Sequence, residues 1–178
     1  MSSLRGVIVA LSCLLCAATL PAQKEKREPL TSAQVEQVRE AGIYPGDRIE
    51  LYTKFIEEHA DTIKGLTNRG KSAARNRRLD DELQDLTALM DEMGTNLDTY
   101  SDRKADLRKA LKKLNESTQR WLNVLRALPG ESGFDLARKE AIESAQDLTD
   151  QAARLLTEQT EYFNLHKDEA GQERAEPN

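Results

Sequence analysis

Histidine is the scarcest group in this chain able to hold a metal or carry a proton, and only His59 and His166 occur. His59 follows Glu57 and Glu58, a run that invites a metal site. Three consecutive helical residues point about 100° apart, however, so they do not converge on one ion. Two histidines four apart, as in a zinc helix, are absent, and so are the paired Glu-x-x-His motifs of di-iron bundles. His59 instead falls on the apolar face of its helix, where a half-buried packing role is expected. The carboxylates of Asp80-Asp81-Glu82 and Asp91-Glu92 flank seam leucines and methionines, as solvated positions do. There is no Gly-rich phosphate loop, no G-x-S-x-G elbow and no rigid turn to present a serine to either histidine. The expectation is a non-enzymatic protein with no metal and no cofactor.

One cluster has binding potential. Residues 64–78 hold six cations and no acid, and Arg69, Lys71, Arg75, Arg77 and Arg78 form a candidate docking patch. Such a patch suits a protein or an anionic envelope component. No bulky apolar face accompanies it, so membrane insertion is not implied. Nucleic acid is a poor fit. The formal charge is −5, and one Trp, four Tyr and three Phe leave little surface for stacking bases.

The N-terminus reads as an export signal. Arg5 gives a thin positive start, residues 6–20 are an apolar core, and Pro21-Ala22 precede the expected cut. This apolar run is shorter than the roughly 20 residues that span a bilayer. A retained anchor and lipidation at Cys13 are the alternatives. Both cysteines, Cys13 and Cys16, fall within this segment, so cleavage leaves no disulfide and stability rests on packing. The expected location is exported, periplasmic or extracellular, with no membrane span after signal removal.

The elements that must position these residues are long helices. A seam alternates four and three residues apart from Leu79 to Leu128: Leu79, Leu83, Leu86, Met90, Met93, Leu97, Tyr100, Lys104, Leu107, Leu111, Leu114, Thr118, Trp121, Leu125, Leu128. Thirteen of the fifteen are apolar, where a 38% hydrophobic chain would give about six. Such a period marks helices packed side by side. A single helix over 47–128 would be about 120 Å long and mostly without a partner. The weak helix formers Gly94, Thr95, Asn96, Asp98 and Ser101 therefore place a turn near residue 95. Tyr44-Pro45-Gly46-Asp47 reads as a type II turn, with Asp47 capping the helix after it. The apolar pattern slips between Ala73 and Leu79, which reads as a bend or stutter. Leu128-Pro129-Gly130 breaks the chain before the last helix.

A short helix opens the domain. Thr31 and Gln34 form a capping box, Leu30 can staple onto Val35, and Gly42 suits a left-handed C-cap. Leu30-Thr31-x-x-Gln34, just after the apolar segment, resembles the motif of small helical periplasmic chaperones of the Spy and CpxP kind. The resemblance covers about twelve residues, lacks that family's second copy of the motif, and coincides with the staple and box. It implies a chaperone with an exposed apolar face.

The resulting expectation is an all-α bundle of three long antiparallel coiled-coil-like helices plus a short N-terminal helix. Residues 1–22 are the signal, 23–30 a flexible lead, 31–166 the bundle domain and 167–178 a disordered tail. The function implied is a cell-envelope interaction or scaffold module. A holdase-like chaperone and a helical metal-binding sensor are the alternatives, and the seam is compatible with oligomers.

Overall fold

The computed structural model describes residues 28–42 and 44–171. The expected signal segment and most of the lead lie outside them. Among the described residues five helices form the fold: α1 (Ser32–Glu40), α2 (Pro45–Thr67), α3 (Ala73–Asp102), α4 (Arg108–Arg126) and α5 (Asp135–Leu165). No strand occurs among the described residues, and none of their helices is long and apolar enough to cross a membrane.

Four helices, not three, form the bundle, because the chain reverses at 68–72 and again at 103–107. The slip between Ala73 and Leu79, read as a bend or stutter, follows the first reversal. Helix α2 stops at Thr67, and the Ser72 hydroxyl accepts the Arg75 amide at 3.2 Å to cap α3. The turn expected near residue 95 is instead continuous helix to Asp102. Two of its weak helix formers, Gly94 and Asp98, serve the contact with α5. A Cβ on Gly94 would lie 3.0 Å from the Gln151 side chain, whose amide donates to the Gly94 carbonyl at 2.9 Å and to Asp98 at 2.7 Å. The Thr95 and Thr99 hydroxyls bond back to the carbonyls of Asp91 and Thr95. Leu97 and Tyr100, fully buried, stabilise this last stretch.

The second reversal closes α3 in a Schellman motif. Lys104 donates to the Ser101 carbonyl at 2.9 Å and Ala105 to that of Tyr100 at 3.1 Å. Lys104 takes the left-handed conformation (φ 57°) that this motif needs at its centre. A non-glycine residue there is strained by about 1–2 kcal/mol, partly offset by its ammonium lying 5.3 Å from the Tyr162 ring centroid. Lys104→Gly should therefore raise stability by up to about 1 kcal/mol, whereas a β-branched Lys104→Val should lower it by about 1–2 kcal/mol. Chemical denaturation of the two variants checks the order.

Hydrogen bonds fix the helix directions. Tyr52 bonds Glu92, His59 lies 2.8 Å from Glu82, and Arg75 reaches the Leu66 carbonyl at 3.1 Å, so α2 and α3 run antiparallel. Lys113 to Glu50 (2.9 Å) and Arg120 to Glu57 (2.7 Å) make α2 and α4 parallel neighbours. Ser144 to Asp91 and Gln151 to Asp98 do the same for α3 and α5. Among α2 to α5 the packed pairs are α2–α3, α2–α4, α3–α5 and α4–α5, which leaves α3 and α4 across a diagonal, and α1 lies against α2. The bundle is two helical hairpins laid side by side.

Those hairpins share a pattern. Leu79, Leu83, Leu86, Met90, Met93 and Leu97 are buried on α3, and Ala141, Ala145, Leu148, Ala152, Leu155 and Gln159, each 62 residues later, are buried on α5. Ile49, Tyr52, Ile56, Ala60 and Ile63 on α2 correspond in the same way to Leu111, Leu114, Thr118, Leu122 and Leu125 on α4. Gln84-Asp85-Leu86-Thr87 recurs as Gln146-Asp147-Leu148-Thr149. Alanines on α5 stand where α3 has Leu79, Leu83 and Met90.

The ends differ from expectation in three places. Pro45 opens α2 at its first turn, where its missing N–H costs nothing, so Asp47 sits inside the helix and does not cap it. Gly42 is required by space, since a Cβ there would lie 2.5 Å from the Arg39 carbonyl oxygen; its φ is not left-handed. Residues 167–171, expected to begin a disordered tail, form a turn whose Gly171 amide donates to Asp106 at 2.8 Å. Residues 172–178 lie outside the described set. The capping box is present as expected, while Val35 stays 50% exposed and Leu30 and Val38 pack on the core.

Candidate functional site

The five cations of the expected docking patch are divided among different tasks. Arg75 is buried, 7% exposed, and its guanidinium bonds the Leu66 carbonyl, Asn76 and Glu131. Lys71 reaches the same Glu131 at 3.2 Å. Glu131 belongs to the turn between α4 and α5, so this trio ties the two hairpin turns together. Burial pushes the Glu131 carboxyl up, but Lys71 and then Arg75 outweigh it and hold it below the ordinary range. Arg78 lies 3.7 Å from Glu82. Arg69 and Arg77 are exposed with no ion pair to a described residue.

The histidines stay apart. His59 is half-buried against Glu82 on α3, on the apolar side of α2 as expected. His166 ends α5, stacked on Tyr162 with ring centroids 4.2 Å apart. Among the described residues no group of three or more His, Cys, Asp or Glu could hold a metal ion.

A second basic region, noticeable in the sequence only as a mostly basic stretch over 103–126, becomes a site through folding. An open cleft of about 690 Å³ lies where the first two turns of α4 meet the foot of α5. Lys109, Lys112 and Lys113 line it from α4, Thr160 from α5, and Asp106 and Glu116 bring carboxylates. Arg108 is already engaged. Its guanidinium grips Asp106 through two bonds of 2.8 and 2.7 Å and sits 4.8 Å from the Phe163 ring centroid. This Arg108 contact, with the Gly171 amide, holds the Asp106 carboxyl below its usual range despite burial. Lys113 is shared with Glu50. Lys109 and Lys112 are exposed and form no ion pair with a described residue.

A buried glutamine next to Thr160 anchors the turn that leads into α4. Gln159, 6% exposed, accepts the Leu107 amide at 2.8 Å and donates to the Ala105 carbonyl at 3.0 Å. It satisfies two backbone groups in the turn that precedes α4. No sequence pattern reveals this, because the partners are more than fifty positions apart.

No family model, no curated protein and no solved structure matches this chain.

Proposed function

We propose that this chain is an exported, non-enzymatic helical bundle that serves as an interaction or scaffold module of the cell envelope. Residues 1–22 would direct export and be removed. The basic surface would meet a protein or an anionic envelope component, with Arg69, Arg77 and the outer groups of the 69–78 patch contributing. Heptad-spaced residues on α3 support coiled-coil-like packing as the basis of a rigid scaffold.

The observation that carries this reading is the sorting of charge by helix. Helix α4 has six cations and one acid, while α3 has eight acids against three cations and α5 seven against three. Sorting of this kind orients and steers association with charged partners more than it stabilises a fold. A pull-down from native envelope should retain a partner that elutes with salt. Intact-mass analysis of the exported protein should give a chain beginning at Gln23. Retention of nothing above bare beads, or a mass that includes residues 1–22, counts against the proposal.

One observation favours the holdase-like alternative. Val124, Ala127 and Leu128, with Lys64 and Thr67, line an apolar groove of about 340 Å³ between the C-terminal ends of α2 and α4. If that groove captures unfolded clients, the protein suppresses client aggregation and binds an apolar dye, and Val124→Asp abolishes both.

A further inference from the structure

We propose that the cleft between α4 and the foot of α5 binds a linear acidic polysaccharide, its carboxylates on Lys109 and Lys112 and its hydroxyls on Glu116 and Thr160. This deepens the reading of an exported module, on which the meeting with such a polymer depends.

Charge in this cleft is unbalanced. Lys109 and Lys112 are three apart on one helix face, and Lys113 adds a third ammonium beside them. Lys113 is relieved by Glu50 and Arg108 by Asp106, but the first two lysines have no ion pair with a described residue. Glu116, one turn further on, is exposed and forms no ion pair with a described residue either. Like charges three and four apart on a helix repel one another in the free protein. A ligand carrying anions relieves the repulsion between them.

The carboxylates in the same cleft select the ligand's chemistry. Lysine is a point charge that accepts carboxylate, sulfate or phosphate alike. Asp106 has both oxygens occupied, by Arg108 and Gly171. Glu116 is therefore the free acceptor, and Thr160 lines the cleft from the other helix; its hydroxyl donates to the Leu156 carbonyl at 2.6 Å, which leaves the oxygen able to accept. A dense polyanion that offers no hydroxyl groups is repelled by Glu116 and leaves Thr160 unused. A chain that alternates carboxylates with hydroxyls satisfies the lysines and the acceptors together. The cleft's size, about 690 Å³, lies in the range of small-ligand sites, and its openness to solvent lets a polymer continue past it.

The test is calorimetric titration of the full chain with an oligogalacturonate of about eight sugars, beside polyglutamate and inorganic polyphosphate of similar charge. The expected result is micromolar binding of the oligogalacturonate, at least tenfold tighter than either comparison polymer. A tenfold rise in salt should lower it on the order of 100-fold, as two lysine–carboxylate contacts each release about one counterion. Lys109→Glu with Lys112→Glu should abolish binding while leaving the circular-dichroism melt in place. Arg69→Glu with Arg77→Glu, at the other end of the bundle, should leave binding unchanged. Glu116→Gln should weaken the saccharide and strengthen polyphosphate. No saccharide binding at millimolar concentration, equal or tighter binding of polyglutamate or polyphosphate, or a lysine reversal without effect each overturns the proposal. These outcomes are independent of the envelope pull-down, which fails or succeeds on its own.

Discussion

Leu114→Asp is expected to leave the protein unfolded at room temperature. Leu114 is fully buried on the inward face of α4. Burying an unpaired acid and emptying a leucine site together cost more than about 5 kcal/mol, comparable with the entire stability of a domain. Trp121→Ala should cost about 3–5 kcal/mol, because it empties the largest buried side-chain volume of α4. Trp121→Phe should cost under about 2 kcal/mol, since it keeps most of the ring and removes an indole N–H that meets no partner among the described residues. Glu116→Ala, on the exposed face, should stay within about 0.5 kcal/mol of wild type. Thermal melts by circular dichroism settle the series, and a stable Leu114→Asp would refute the placement of α4 in the core.

Gln159→Leu is expected to destabilise by about 2–4 kcal/mol although it conserves volume and adds apolar surface. It strands the Leu107 amide and the Ala105 carbonyl, each buried without a substitute, at about 1–3 kcal/mol apiece. Gln159→Glu tests the same geometry by pH. A protonated glutamate accepts from Leu107 and donates to Ala105 as glutamine does, whereas the carboxylate faces the Ala105 carbonyl without a proton. Its folded-state pKa is therefore raised above the unfolded value of about 4.3. The variant should match wild type below that value and fall behind as pH rises through the folded pKa. Denaturant midpoints from pH 4 to 8, each compared with wild type at the same pH, provide the readout. A pH-independent difference would mean that Gln159 is only a space filler.

Much of this architecture is legible without coordinates. The Thr31–Gln34 box, the break at Leu128-Pro129-Gly130 and nearly all the buried seam positions follow from local rules. Caps involve residues three apart, and apolar spacing reflects the helix's own period. The seam even kept its phase across the reversal after Asp102, because Leu107 and Leu111 are buried like Leu97 and Tyr100 before them. That continuity hid the true turn.

The sequence by itself determined an all-helical chain, its apolar positions and its alternating blocks of charge. Tertiary structure decided which weak points became turns. Each weak helix former costs only about 0.5–1 kcal/mol, so burial of Leu97 and Tyr100 and the Gln151 contacts carry α3 through Gly94. Residues 68–74 are exposed and offer no such compensation, and the chain reverses there. Folding also decided the fate of the basic groups. Arg75 and Lys71 were drawn to Glu131, 56 and 60 positions away, while Lys109 and Lys112 were left facing a cleft completed by Thr160 from another helix. Charge pairing of that kind depends on distances of a few ångströms between helices, and no spacing along a single helix encodes them.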